Sequence, residues 1–295
     1  MDQSSTHHRN GKGTRAELEK AAADLEKEKL IAEIQIERMV LLARHNQELD
    51  KTNFVFAAFN HFVYENNTGI HSPAEFSACE FALHYGKMSI LSTLINPGEL
   101  CLGQAFKAMH HSNNTHQLPL PPNAEGESMS KVYRDIIKYL KNCLNGKPLI
   151  VFTPTQEVAI VKSCFDYMQT ACELDYTDDS DDEDGKKDPL PPILVYDIQY
   201  LFFYLKKETM GMMGQPNEGI KHDVTNTIFL RDFFEFEERI ACQFHEEIDR
   251  SRYCTRSQVV RWVYTFCDYM CKDLGITMEP GKHAPSFKPL DTSSD

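Results

Sequence analysis

The segment Cys242-Gln-Phe-His245-Glu-Glu-Ile-Asp-Arg-Ser-Arg-Tyr-Cys254 places two cysteines and one histidine within thirteen residues. Their spacing is C-x2-H-x8-C, and thiolate and imidazole are ligands that zinc prefers in proteins. Three ligands do not complete a tetrahedral site, so the segment predicts a metal site that needs a fourth ligand from elsewhere in the chain. The source of that ligand decides whether the metal joins distant parts of the fold or keeps an open position for chemistry.

The other cysteines are candidates for the fourth ligand, as is any nearby carboxylate or histidine. They are Cys79, Cys101, Cys143, Cys164, Cys172, Cys267 and Cys271. Cys267 and Cys271 lie four residues apart on the apolar face of the last predicted helix, and Cys143 and Cys164 lie on amphipathic helix faces. Free cysteine is among the most buried residue types, so these four are expected in the core. Periodicity alone leaves the fourth ligand open.

Three histidines form a second candidate cluster, His110, His111 and His116. They have no cysteine or carboxylate at ligand spacing, so a metal or phosphate site is less favoured than a polar surface loop. The whole segment 98–125 is expected to be a loop.

Composition places the chain among soluble globular proteins. It has 295 residues, 41% hydrophobic and 25% charged, and no apolar run near the ~20 residues of a membrane span. Nine cysteines without a visible secretory signal indicate a reducing compartment. The net charge is −13, but eight acids between Glu173 and Asp184 account for most of it and leave −5 for the rest. The acidity is thus partly the property of one segment.

The predicted organisation is one α/β domain with a helical extension. Residues 1–13 are expected to be disordered, 14–50 to be helical, 51–285 to form the domain with an acidic loop at 173–188, and 286–295 to be a disordered tail. Three early strands form a meander with a hairpin at 84–87, and helices and strands then alternate. In the N-terminal helix, Leu30, Ile34 and Leu41 form a stripe expected to pack on the domain rather than to form a dedicated dimer.

Several motifs in a fixed order identify a family. They are Phe54-Val-Phe-Ala-Ala-Phe-Asn60, Pro73-Ala-Glu75-Phe76, Ile95-Asn-Pro-Gly98, His111-Ser112, Thr115-His-Gln-Leu-Pro-Leu-Pro-Pro-Asn123, Val151-Phe-Thr-Pro154, Val195-Tyr-Asp-Ile-Gln-Tyr-Leu201, Cys242-Gln-Phe-His245 and Tyr253-Cys254-Thr255. With these motifs the sequence resembles the Maelstrom family of germline small-RNA silencing proteins, from about residue 50 to about residue 285.

The resemblance implies a fold and a ligand set. The fold is a ribonuclease-H-like α/β domain, a mixed sheet flanked by helices with a zinc-stapled C-terminal helical part. The family's Glu-Cys-His-Cys zinc site maps onto Glu75, Cys242, His245 and Cys254. One carboxylate, one imidazole and two thiolates complete a tetrahedron, so the zinc is expected to be structural.

Two enzymatic alternatives compete with a structural site. Zinc deaminases use His/Cys/Cys ligands with a non-ligating Glu, but their cysteines are two residues apart, not twelve. Ribonuclease-H-like exonucleases hold two metal ions with several carboxylates, yet strand 54–63 carries none. Asp197 is better explained as a helix cap. A non-catalytic scaffold is therefore expected, with a weak metal-independent endonuclease of single-stranded RNA as the alternative.

The resemblance also implies a role in repressing transposable elements through the piRNA pathway, in germline differentiation, meiosis and oogenesis. The expected partners are single-stranded RNA and piRNA-pathway proteins, with no membrane. The expected location is perinuclear nuage in the cytoplasm, with the nucleus as a further possibility. Candidate phosphate contacts are Arg250, Arg252, Arg256, Arg261, Lys131, Arg134 and Lys138, against the alternative of solvated helix faces.

One feature departs from the family pattern. Family members typically begin with an HMG box, a basic and aromatic DNA-binding module. Residues 1–50 have no aromatic residue and carry eight Lys and Arg against ten Asp and Glu. We therefore expect the HMG box to be absent and DNA not to be a partner of this chain.

Overall fold

A mixed six-stranded sheet forms the centre of the molecule. The computed structural model describes residues 15–66, 68–178, 190–214 and 221–286. The strands are β1 (Phe54–Glu65), β2 (Ile70–Ala82), β3 (Gly86–Asn96), β4 (Glu127–Ser128), β5 (Ile150–Thr153) and β6 (Leu194–Asp197). Their order is β4-β3-β2-β1-β5-β6. The first three strands are antiparallel, whereas β5 runs parallel to both β1 and β6. This topology confirms the expected mixed sheet.

Helices cover both faces of the sheet. They are α1 (Arg15–His45), α2 (Ala105–Asn114), α3 (Met129–Leu144), α4 (Val158–Asp178), α5 (Ile198–Met212), α6 (His222–Arg231), α7 (Gln243–Glu247) and α8 (Thr255–Met270). None of the described helices is both long enough and apolar enough to cross a bilayer.

Alternation along β1 explains why its first six residues, 54–59, are all apolar. Phe54, Phe56 and Ala58 face a core shared with α1, α5 and α8. Val55 and Ala57 face the opposite core, which is shared with α3 and α4. Successive side chains of a strand point to opposite faces, so a strand covered on both sides carries no polar face. The chain therefore places β1 at the middle of the fold.

The predicted hairpin between β2 and β3 is confirmed. Ala82 pairs with Gly86, and Gly86 has a φ of +66°. A β-carbon at this position would lie 2.6 Å from the carbonyl oxygen of Lys282. Both the backbone conformation and the close approach of the C-terminal segment therefore require glycine here.

The structure corrects three expectations. The segment 98–125 is not all loop, because α2 lies within it. Helix α4 continues to Asp178, so the predicted acidic loop 173–188 begins as helix, and its remainder lies outside the described residues. The predicted disordered segment 1–13 also lies outside them, as does all of the predicted tail 286–295 except Ser286.

The third correction concerns the face that α1 buries. Ile36 and Val40 are the fully buried residues of this helix, and Ala32 and Met39 pack beside them. The predicted stripe instead faces outward, with Leu30 57%, Ile34 54% and Leu41 46% exposed. The helix does pack on the domain as expected, but through a different face.

Candidate metal centre

Four side chains from two distant parts of the chain converge between strand β2 and the amino end of α8. Glu75 lies on β2, opposite Asn60 of β1. Cys242 immediately precedes α7, His245 lies within α7, and Cys254 immediately precedes α8. The sequence separation between Glu75 and Cys242 is 167 residues. A bound metal would therefore join the early strands to the C-terminal helices.

The four ligand atoms all lie within 4.8 Å of one another. Glu75 Oε1 is 3.5 Å from Cys254 Sγ, 3.8 Å from Cys242 Sγ and 3.6 Å from His245 Nδ1. Cys242 Sγ lies 3.1 Å from His245 Nδ1. With Zn–S near 2.3 Å and Zn–N or Zn–O near 2.0 Å, tetrahedral ligands stand about 3.3 to 3.8 Å apart. The separations and the donor set thus suit a tetrahedral ion, and the four residues form a group that could hold a metal.

The carboxylate of Glu75 is oriented by its surroundings. Its Oε2 accepts hydrogen bonds from Asn60 Nδ2 at 2.8 Å and from Thr255 N at 3.1 Å. Asn60 Nδ2 also donates to the carbonyl oxygen of Tyr253 at 2.7 Å, which ties β1 to the residue before Cys254. With Oε2 engaged, Oε1 is the oxygen that faces the two sulfurs and the imidazole. The arrangement suits a carboxylate that binds through one oxygen.

The imidazole of His245 is oriented in the same way. Its Nε2 lies 3.0 Å from the carbonyl oxygen of His116 and donates to it, which leaves Nδ1 for the centre. Such a hydrogen bond from the remote nitrogen is typical of metal-ligating histidines. His245 and His116 are both fully buried.

His116 therefore does not lie in a polar surface loop, and that expectation is wrong. Its Nδ1 accepts from Leu118 N at 3.1 Å, so Nε2 carries the proton and donates to the carbonyl oxygen of His61 at 3.1 Å. His110 and His111 lie in α2 rather than in a loop.

Electrostatics also favour a cation at the centre. Burial raises the pKa of Glu75, and a hydrogen bond with Cys242 together with burial raises the pKa of the Cys254 thiol. A hydrogen bond with Cys254 instead lowers the pKa of the half-buried Cys242 to about 4. Ionised thiolates and a carboxylate held this close repel one another, and a divalent ion would compensate that repulsion. The positive amino end of α8, where Cys254 and Thr255 lie, stabilises the anionic ligands.

The remaining cysteines and Asp197 are placed largely as predicted. Cys143, Cys164, Cys267 and Cys271 are all buried core residues. Asp197 is the N-cap of α5, where its side chain accepts from the backbone nitrogen of Gln199 at 2.8 Å.

The predicted phosphate contacts fall into three groups. Lys131, Arg134 and Lys138 lie on the exposed side of α3. Arg256 is exposed in the first turn of α8, while Arg250 is half-buried. Arg252 forms an ion pair with Glu235.

Arg261 requires a correction. Its side chain is 4% exposed and lies 2.9 Å from Asp232 Oδ2. It also donates to Ser257 Oγ at 2.6 Å and to the carbonyl oxygen of Arg252 at 3.1 Å. A guanidinium buried in these contacts presents no free face to a phosphate, so Arg261 is a structural residue. The helical periodicity of the sequence did not show that Arg261 is buried while Arg256 is exposed.

Sequence analysis missed the contacts of two residues beside the centre. Asn60 was quoted only as part of a family motif, and His116 was assigned to a polar surface loop. Lys87, at the start of β3, was not singled out either. Burial and then the charge of Arg256 lower its pKa. The position of Asn60 in a buried strand could have indicated its role, because a buried side-chain amide needs a hydrogen-bond partner.

Comparison with known proteins identifies relatives over most of the chain. A family model described as "Maelstrom: piRNA pathway germ-plasm component" matches residues 64–289. "Protein maelstrom" of Drosophila erecta is 50% identical over 252 residues, covering 85% of this chain and 52% of that protein. "Protein maelstrom" of Drosophila melanogaster is 49% identical over 253 residues, again covering 85% and 52%. The chain thus spans about half the length of these curated relatives.

Among solved structures, Escherichia coli exonuclease I in complex with an oligonucleotide is 12% identical, with a TM-score of 0.40. The match covers 75% of this chain and 41% of that one. A likeness this distant carries no argument about function.

Proposed function

Since this chain belongs to the Maelstrom family, we propose that it serves the germline piRNA pathway as a non-catalytic platform that contributes to the repression of transposable elements. A structural zinc ion closes the fold, and the surface binds single-stranded RNA and other proteins of the pathway. The proposed location is perinuclear nuage, with the nucleus as a second compartment. Because the chain spans about half of its curated relatives, the activity and partners of the whole protein are part of the proposal.

The observation that carries the proposal is the number of protein ligands. Glu75, Cys242, His245 and Cys254 together supply four ligand atoms around one centre. A structural zinc site has four protein ligands, whereas a catalytic site keeps one position for water or substrate. With all four positions taken by side chains, the zinc stabilises the fold and activates no water.

The position of Glu75 argues against a deaminase-like centre. In such enzymes a glutamate stands outside the coordination sphere and moves protons. Here Glu75 Oε1 lies 3.5 Å and 3.8 Å from the two sulfurs, at ligand separation from both. Its other oxygen is held by Asn60 and Thr255. The carboxylate is therefore better suited to bind the metal than to act as a base.

The environment of Asp197 likewise argues against two-metal catalysis. Its Oδ1 accepts from the backbone of Gln199 at 2.8 Å, and its Oδ2 accepts from Thr155 Oγ1 at 2.5 Å. These bonds cap α5 and connect β6 to the end of β5. The nearby carboxylates of Glu26 and Glu28 belong to α1, and a strand carboxylate that serves as a helix cap does not organise two ions.

Arg256 and Lys87 are the preferred RNA contacts. Arg256 is exposed in the first turn of α8, and its positive charge contributes to lowering the pKa of Lys87 at the start of β3. Like charges held near each other gain from an anion between them. Lys131, Arg134 and Lys138 on α3 form a second basic face.

The experiment is fluorescence anisotropy of a labelled single-stranded RNA at several salt concentrations. We expect the double variant Lys87→Ala with Arg256→Ala to bind roughly ten-fold more weakly. Each lost phosphate contact reduces the slope of log affinity against log salt by about 0.7. Arg15→Ala is the matched control, because Arg15 is an exposed base on α1, remote in sequence from both basic faces.

The same assay distinguishes the enzymatic alternative. If purified protein cleaves the RNA in the presence of a chelator, and substitution of Lys87 or Arg256 abolishes cleavage while binding persists, the scaffold is wrong and a ribonuclease takes its place. If the double variant binds RNA with unchanged affinity, Lys87 and Arg256 are not RNA contacts.

A further inference from the structure

A cavity of about 240 Å³ lies where the carboxyl ends of β5 and β6 meet α1, α4, α5 and α6. Its wall includes Thr155, Asp197, Tyr200, His222 and Asn226. None of the four candidate metal ligands lines it. The carboxyl ends of parallel strands are where open α/β sheets bind ligands, because helix amino ends and loop side chains converge there. The cavity is therefore well placed for a ligand, independently of the metal centre.

Two polar atoms in this wall lack partners. His222 Nε2 and Asn226 Oδ1 are both buried, and neither has a hydrogen bond to any described residue. Burying a polar atom without a partner costs free energy, so such atoms are uncommon in native structures. Both belong to residues that line the cavity, so a bound molecule can satisfy them.

The two carboxylate oxygens of Asp197, in the same wall, are further hydrogen-bond acceptors. Each of its oxygens already accepts one hydrogen bond, from Gln199 N or from Thr155 Oγ1, and each keeps a second lone pair. Burial raises the pKa of Asp197, so additional donors to its carboxylate are favourable. Asn226 Oδ1 is a further unused acceptor in the wall.

The rest of the wall favours a flat ligand. The rings of Tyr200 and His222 stack with their centroids 4.1 Å apart and their planes at 24°. Val158 and Val195 contribute apolar surface, and Lys29 supplies positive charge. Lys162 also lines the cavity but is paired with Glu28, and Glu26 adds a further carboxylate. The volume suits one small planar group rather than a large cofactor.

We propose that this cavity binds a guanine base. The Watson–Crick edge of guanine carries two adjacent donors, N1–H and the 2-amino group, and so matches Asp197 and Asn226 Oδ1. Adenine presents an acceptor at N1 and does not match. Proteins recognise unstacked bases through such edges and through aromatic contacts. Lys29 suits the attached phosphate, whether it belongs to a free nucleotide or to RNA.

The proposal goes beyond the RNA-binding surface proposed above and uses different residues. Isothermal titration of the full chain with guanosine, inosine and adenosine monophosphates tests it. We expect guanosine monophosphate to bind, inosine monophosphate, which lacks the 2-amino group, to bind about ten-fold more weakly, and adenosine monophosphate to give no measurable heat.

Two substitutions test the residues. Asp197→Asn keeps a helix cap but removes the charged acceptor, and Asn226→Leu removes the unpaired oxygen. Each is expected to weaken guanosine monophosphate binding at least ten-fold. Leu230→Ala is the control, because Leu230 lies on the same helix, is 73% exposed and does not line the cavity. Circular dichroism verifies folding in each variant.

A second titration, with oligouridine RNA carrying one guanine, distinguishes the sources of the base. Binding of the RNA but not of the mononucleotide, with loss in Asp197→Asn, supports a guanine held in a strand. Equal affinity for the guanosine and adenosine forms, or unchanged affinity in both variants, overturns the proposal. The proposal is also overturned if free arginine binds in place of the nucleotide. Failure here leaves the Lys87 and Arg256 experiment unaffected.

Discussion

His245 donates a hydrogen bond from Nε2 to the backbone oxygen of His116, 3.0 Å away and 129 positions earlier in the chain. The bond joins α7 to the residues that follow α2, and it directs Nδ1 toward Glu75 and Cys242. A backbone carbonyl oxygen does not titrate near neutral pH, and unlike a side chain it cannot rotate out of position. The imidazole is thus prepared for a metal before one binds.

Removal of the carboxylate ligand gives the first prediction. Glu75→Ala should lower zinc content well below one ion per chain and lower Tm by roughly 10 °C, since metal binding contributes to folding free energy. Mass spectrometry of bound metal and differential scanning fluorimetry measure the two effects. Glu247→Gln, an exposed carboxylate on α7, is the control and should retain both metal and Tm. Full zinc content in Glu75→Ala would refute the four-ligand site.

The second prediction concerns the orientation of that carboxylate. Asn60→Leu removes the donor to Glu75 Oε2 and to the Tyr253 carbonyl while leaving all four ligands in place. We expect zinc affinity to fall by about 10- to 100-fold, the usual effect of losing an outer-shell hydrogen bond. Competition with a chromogenic chelator measures it. An affinity equal to that of the unaltered protein would show that Asn60 serves packing alone.

Metal removal and acid should act in the same direction. Zinc needs deprotonated Cys, His and Glu ligands, so its affinity decreases as pH falls. We expect a chelator to lower Tm strongly at pH 7.5, and much less at about pH 5, where protons already compete for the imidazole and thiolates. A Tm that responds to the chelator equally at both pH values would contradict this account.

Glu157 gives a pH-dependent prediction of opposite sign. Burial raises its pKa to about 7, although the charge of Arg261 opposes the shift. Because the pKa in the folded state lies above the unfolded value, this group stabilises the fold fully below about pH 4.5, and the contribution is lost as pH rises through about 7. Glu157→Gln should therefore raise stability by about 1 kcal/mol at pH 8 and leave it unchanged at pH 4.5. Denaturant titrations at both pH values measure the difference, and a gain at pH 4.5 would contradict it.

The fifth prediction separates the two arginines of α8. Arg261→Met removes one partner of a buried ion pair and leaves Asp232 uncompensated, which should cost about 3 kcal/mol of unfolding free energy. Arg256→Ala changes an exposed side chain and should cost less than about 0.5 kcal/mol. In RNA-binding assays the order reverses, with the larger loss for Arg256→Ala. Weaker RNA binding by folded Arg261→Met would restore Arg261 as a contact.

Local patterns were sufficient for the elements with strong periodicity. The strand predicted at 54–63 and the hairpin predicted at 84–87 are both present, and the last predicted helix is α8, with Cys267 buried as expected. The spacing C-x2-H-x8-C indicated three ligands, and the resemblance to a family indicated Glu75. In these cases the relevant information lies within a few residues, because it concerns side chains on one strand face or one helix face.

Tertiary structure alone decided which surfaces meet. It buried Ile36 rather than Ile34 of α1, buried Arg261 while leaving Arg256 exposed, and brought Asn60 and His116 to the metal ligands. It also formed the cavity beside Asp197 from helices far apart in the chain. Such contacts depend on how whole faces pack across the sheet, and local periodicity carries no information about that packing. The sequence therefore predicted most of the elements and the four candidate metal ligands, and the packing of those elements determined what holds these four residues in position.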